Sequence, residues 1–350
     1  MICLTQGIAR AQSNSCEEQL NAATAEFEAG RFYGIPSMLK PCIDKGFTRE
    51  QRQRAFLLLT QAYLLLDDPI GADNSYLEVL RANPEFLADT ARDQIDVVYL
   101  SKRFTAAPMF SLFGRVGGNF APIRVIQKIN SSGGPSKNDY KLRIGYQAGV
   151  GVEWHISERI AVTGEVNYAF TSYKKNQLKW NNDLEEFIDK QNWVCIPLAA
   201  KYTILTAGKV RPYVFAGYSF NLLFSDKAQI HISKRDDEVT LDESLPESSY
   251  NAYRRKANTS FFIGGGTKYK VGLDFVFAEM RYNFGLTNVV VPPTTYGNDS
   301  PATEAGHVDD YFRVDNFSIS VGYVRPLYKP RKVNRVKTKS VLKGIKKQAK

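Results

Sequence analysis

Residues 143–172 constrain this chain more than any other stretch: two alternating segments joined at His155-Ile156-Ser157. In the first, Ile144, Tyr146, Ala148, Val150, Val152 and Trp154 share one face, and Arg143, Gln147 and Glu153 fall on the other. In the second, Ile160, Val162, Val166, Tyr168 and Phe170 oppose Thr163, Glu165, Asn167 and Thr171. Period two means strands, and about 10 alternating residues are enough to cross a bilayer as a tilted strand. A half-buried sheet in a soluble protein alternates in the same way. One hairpin therefore leaves both readings open, and the test is whether the pattern repeats around a ring.

No run approaches 18 consecutive apolar residues, which excludes a bundle of membrane-spanning helices but not a barrel, whose signal is diluted by alternation. At 350 residues two or more units are expected. The net charge of +10 is concentrated at the end, where residues 325–350 hold eleven Lys/Arg and no acid. It describes a basic tail, not a nucleic-acid-binding surface. Ala9-Arg10-Ala11 before Gln12 has the small-x-small form of a signal-peptidase site, yet the stretch before it is too short for an apolar region. Residues 1–15 are therefore expected to be the remnant of an export signal that begins upstream.

Residues 16–105 have the pattern of a helical domain. From Phe56 onward, Phe56, Leu59, Tyr63, Ala72, Tyr76 and Pro84 stand at the spacing of a tetratricopeptide repeat, which this segment resembles. Leu20, Ala23 and Phe27 repeat the first-helix spacing, with a shortened second helix at 35–43 and a third helical stretch at 93–104. Two such repeats bury little of a concave face, so a protein-binding role is favoured over a helical domain without a partner. Cys16 and Cys42 fall where an antiparallel helical hairpin brings them together. In an oxidising compartment they form a candidate disulfide, the alternative being two buried thiols. Cys195 lies within a strand, has no CxxC partner, and is expected to be structural.

Eight strand candidates follow: 110–120, 142–155, 159–174, 192–204, 211–224, 260–270, 273–286 and 313–327. One face stays aliphatic and aromatic through all of them. The other carries Arg115, Arg143, Glu153, Glu165, Lys201, Lys268, Glu279 and Arg281 among glycines and small polar residues. Eight strands enclose too little space for a large apolar core but can hold interlocked charges, which puts lipid outside and a lumen polar network inside. The connections alternate as well. Those at 121–141, 175–191, 225–259 and 287–312 are long, and those at 156–158, 205–210 and 271–272 are short, as in outer-membrane barrels. With an even strand count, both ends then face the periplasm. The expected fold is α plus membrane all-β: a short helical repeat domain, an eight-stranded antiparallel transmembrane β-barrel over 106–328, and a basic periplasmic tail over 329–350.

Pro108-Met109-Phe110-Ser111 leading to Gly114–Phe120, Trp193-Val194-Cys195-Ile196-Pro197-Leu198 with Lys201-Tyr202, Arg211-Pro212-Tyr213, and the closing 318–323 resemble the PorT-like outer-membrane β-barrel proteins of Bacteroidetes. The resemblance covers residues 106–328 and implies the barrel architecture. Some PorT-like proteins serve gliding and type IX secretion, but no residue here carries that role over.

Three histidines exist, His155, His231 and His307, and neither a nucleophile–base set nor metal-ligand spacing can be assembled from them. No catalytic, cofactor or metal site is expected. His155 reads as a solvated turn residue. Lys234–Glu238, Arg254-Arg255-Lys256, Asp299, Glu304, Asp309 and Asp310 read as charged loops in solvent. Gly264-Gly265-Gly266 leads into more strand and reads as room for curvature or bulky lumen neighbours. The expected function is a non-enzymatic outer-membrane anchor displaying a protein-binding helical domain, with lipid and an envelope protein as partners and no nucleic acid. The alternative is an outer-membrane enzyme, small pore or surface-binding protein using the long loops.

Overall fold

The computed structural model describes residues 4–129, 139–178, 184–235, 240–291 and 307–333. They form two compact units, Met1–Pro108 with Tyr328–Lys350, and Met109–Leu327.

The first unit carries helices α1 (Leu4–Glu28), α2 (Ile35–Lys45), α3 (Arg49–Leu65), α4 (Pro69–Ala82) and α5 (Ile95–Ser101). Thr48 caps α3 through a reciprocal pair: its hydroxyl accepts the Gln51 N–H, and the Gln51 side chain accepts the Thr48 N–H. Asp68 caps α4, with Pro69 in the first turn, where its missing N–H costs nothing. Phe56, Leu59, Ala72 and Tyr76 are buried, Tyr63 packs against both apolar clusters, and Pro84 follows the end of α4. A disulfide joins Cys16 on α1 to Cys42 on α2 and closes a 26-residue separation. Such a loop contributes about 3 kcal/mol by restricting the unfolded chain.

Two helix boundaries differ from the sequence reading. The first helix starts at Leu4 rather than 16. The stretch 93–104 shortens to α5 because Phe104–Thr105 become extended and pair antiparallel with Arg331–Lys332, while the Val333 N–H donates to the Arg103 carbonyl at 2.7 Å.

The second unit is a closed antiparallel ring of β1 (Phe110–Phe120), β2 (Ile144–His155), β3 (Ile160–Leu178), β4 (Leu184–Thr203), β5 (Val210–Arg235), β6 (Ala257–Val271), β7 (Asp274–Gly285) and β8 (Asn316–Leu327). Each strand pairs with its chain neighbour. Pairing of β8 with β1, from Phe317↔Phe120 to Leu327↔Phe110, closes the ring and leaves no edge. The short connections lie at one end; at the tightest, between β6 and β7, Gly272 takes φ +64. The outer wall is apolar and uncovered, with Val116 58%, Val150 67% and Leu198 60% exposed, whereas Arg115 (3%) and Glu153 (1%) lie inside. A continuous apolar belt of this kind is stable only in lipid.

β3, β4 and β5 reach total lengths of 19, 20 and 26 residues and run on past the other strands at the long-loop end. Much of the expected loops 175–191 and 225–259 is therefore strand. Ala228, Ile230 and Ile232 alternate onto Phe187 and Tyr250, and the polar residues between them had masked the period. A short strand, Thr240–Ser244, folds back on β5, and Asp139–Leu142 pairs with β3.

Candidate functional site

Strand alternation sends every second side chain inward, and in an eight-stranded ring those side chains meet across the lumen. Seven of the expected network residues do so. Midway up, Arg115 pairs with Glu279 at 2.6 Å and Glu165 at 2.9 Å, and Arg281 pairs with the same two carboxylates at 3.2 and 2.8 Å. The Tyr213 hydroxyl donates to Glu279 at 3.1 Å. Nearer the short-turn end, Glu153 accepts from Lys268 at 2.8 Å and lies 3.5 Å from Lys201. Arg115 and Arg281 share Glu165 and Glu279 in a closed square, so each of these four buried charges has more than one partner. That is the condition under which burying charge is tolerated.

Arg143 is not part of this network. It is exposed, because Asp139–Leu142 leaves the β2 line to pair with β3 and the inward alternation of β2 begins only after Ile144. His155 is not a free turn residue either: it is half-buried, and its Nε2 hydrogen-bonds the Ser111 hydroxyl at 2.8 Å. In the lumen, sequence reasoning missed the rings. Phe113, Tyr213, Phe215, Phe262 and Phe277 all point inward, each directly across a strand pair from a glycine: Gly151, Gly266, Gly264, Gly217 and Gly322. A Cβ at Gly264 would lie 2.4 Å from Phe215, and one at Gly151 would lie 2.5 Å from Phe113. The glycines make the space that the rings fill. Arg281 stacks over Phe262 at 4.6 Å, and Lys201 over Tyr213 at 4.4 Å. The Gly264–Gly266 run thus serves bulky lumen neighbours.

A second polar network lies beyond the membrane-spanning stretches, at the long-loop end. Arg254 is fully buried and donates to Asp309 at 2.6 Å and to Asp189 and Asp226 at 3.0 Å each. His307 stacks on Phe187 at 4.1 Å, hydrogen-bonds Glu185 through Nδ1, and lies 3.3 Å from Asp309 through Nε2. Asp310 accepts the Ile129 N–H at 2.9 Å and the Tyr140 hydroxyl at 2.7 Å, with Lys175 3.5 Å away. Burial works against charge on His307, but Glu185 and Asp309 outweigh it and raise its pKa above the usual 6.5. Against the same penalty, Arg254 and His307 hold Asp309 well below the carboxylate range. Burial and the neighbouring Asp189 push Asp226 up.

Arg254, Asp309 and Asp310 are therefore not loop charges in solvent. They tie the loops down as a cap, because burying Val289, Val290 and Phe312 against Tyr173 carries the adjacent charges inward. Asp299, Glu304 and 236–238 lie outside the described residues. Among the described residues no cluster of His, Cys, Asp or Glu could hold a metal ion. His231, on the β5 extension, accepts from or donates to the Ser244 hydroxyl at 2.7 Å.

A closed eight-strand ring with lipid-facing side chains outside and paired charges inside defines a small outer-membrane barrel. The chain belongs to the outer membrane protein beta-barrel domain family, whose model matches residues 108–291. Among solved structures it is similar to Neisserial surface protein A (13% identity, TM-score 0.30, 62% of this chain and 97% of that one). It is also similar to OprG from Pseudomonas aeruginosa (10%, 0.35, 63% and 99%) and to Ail of Yersinia pestis (14%, 0.26, 61% and 97%). Likeness at this level says nothing of what this chain binds. No curated protein matches the sequence.

Proposed function

We propose that this protein is a non-enzymatic outer-membrane anchor whose helical unit binds a protein partner on the periplasmic side, within an envelope or secretion-related assembly. The observation that carries this reading is the filled lumen: ion pairs and aromatic rings occupy the barrel across its middle and short-turn end, where a channel would need open space. Both barrel exits lie at the short-turn end, which an outer-membrane barrel turns to the periplasm. The finer kinship with PorT-like barrels of Bacteroidetes belongs to this proposal, on the motifs at 108–120, 193–202 and 318–323. So does the tetratricopeptide-like character of α3 and α4, on Phe56, Leu59, Tyr63, Ala72, Tyr76 and Pro84.

Deleting residues 16–104 is expected to leave a heat-modifiable, membrane-inserted barrel and to remove cross-linked partners from pull-downs of intact outer membranes. Partners retained by the deleted form would move the binding site to the barrel or tail. A second reading, an enzyme working at the long loops, has one observation in its favour, the exposed His231–Ser244 pair. Its test is turnover of lipid or peptide substrates that Ser244→Ala abolishes.

A further inference from the structure

The buried charges of the lumen do not cancel. Arg115, Arg281, Lys201 and Lys268 stand against Glu153, Glu165 and Glu279, leaving one positive charge in excess among residues at most 8% exposed. On the long-loop side of the Arg115–Arg281 square lies a chamber of about 80 Å³. Both arginines of the square line it and neither of its glutamates does; the remaining wall is amide, hydroxyl and apolar, with Asn258, Ser260 and Trp193 among its residues. No Asp, Glu or Lys faces it. The Nε–H groups of Arg115 and Arg281 have no protein hydrogen-bond partner, and buried donors of that kind cost about 1–3 kcal/mol each when unmet.

A chamber whose nearest charges are two guanidiniums repels cations. Its size corresponds to about five to eight water-sized positions, enough for acetate or phosphate. An anion there would accept from the two unpaired Nε–H groups, which the carboxylates of the square leave unmet. We propose that this chamber is a binding site for one small oxyanion, a carboxylate or inorganic phosphate, held over the Arg115–Arg281 floor with amide and hydroxyl donors around it. The site is independent of what the helical unit binds.

The test uses the full chain in detergent micelles, exchanging chloride for acetate or phosphate at constant ionic strength. One readout is the temperature at which the fast-migrating folded band is lost. The other is alkylation of Cys195, a free thiol on the chamber wall, by a small neutral maleimide in a Cys3→Ser background. A saturable rise in the midpoint is expected. Alkylation should slow about tenfold when the anion is at about ten times its dissociation constant. Arg281→Gln should abolish both responses. Because that change also strips two glutamates of a partner, Ala169→Leu is run beside it: it fills the chamber without touching a charge, and it too should abolish the midpoint response. Absence of a saturable response to either anion in the unmodified chain would overturn the proposal. So would an undiminished response in Ala169→Leu, which would mark a general salt effect.

Discussion

The lumen and the cap both bury charge in this barrel, but they are built in opposite ways. In the lumen, charge is placed by strand alternation, shared in a square of two arginines and two glutamates, and wedged by rings that fill the space opposite glycines. In the cap, charge is placed by loops, converges on one arginine, and includes more carboxylates than cations: Asp189, Asp226, Asp309, Asp310 and Glu185 against Arg254, Lys175 and His307. A square tolerates loss of one corner because each charge keeps a second partner. A hub does not. The cap is thus the more fragile region, although both are equally buried.

The largest effect should come from Arg254→Leu, which leaves three buried carboxylates facing one another. Removing one partner of a buried ion pair costs about 3–5 kcal/mol. Proteolysis at the long-loop end should become rapid while the barrel stays heat-modifiable; a cap that remained protease-resistant would show that its apolar contacts suffice. Next is loss of the disulfide. Cys16→Ser with Cys42→Ser should destabilise the helical unit by about 3 kcal/mol, read by its thermal melt, with the barrel transition unmoved. Glu279→Gln should cost the lumen less, about 2 kcal/mol, since Arg115 and Arg281 each retain Glu165, and a denaturant titration of the folded band measures it.

The pH dependence should sharpen the contrast further. His307 has a raised folded pKa, so its contribution is complete below the unfolded value of 6.5 and is lost as pH rises through the folded value. Asp309 has a depressed folded pKa, so its contribution is present above the unfolded value of 3.8 and is lost as pH falls through the folded value. Cap protection in hydrogen exchange should hold across the range between these limits and decline on the alkaline side, and His307→Gln should remove that decline. An unchanged alkaline profile in the variant would assign the loss to another group.

The same contrast explains what could be read from the sequence. Alternation is local, so the eight strands, the outer row and seven of the eight expected lumen residues were legible from residue i to i+2. Arg143 failed because the alternation was carried one residue past the start of β2, where the chain breaks away to pair with β3. The inward rings were missed because Phe215 or Phe277 looks like a lipid-facing residue until its cross-strand glycine is known, and pairing is a long-range fact. Arg254, Asp309 and Asp310 were read as solvated, and His307 only as a loop residue, because nothing local marks a loop charge that tertiary packing will bury. Their partners stand far away in sequence, Glu185 being 122 residues from His307. In the helical unit the spacing of Phe56, Leu59, Tyr63, Ala72 and Tyr76 marked the buried face, but the end at Phe104 depended on a strand more than two hundred residues later.

The most direct measurement of the central claim, that the barrel is an anchor with a filled interior and not a conduit, is single-channel current across a planar bilayer holding the full-length protein. The lumen of paired charges and rings predicts current at baseline across both polarities. Discrete, reproducible conductance steps from the unmodified chain would contradict it.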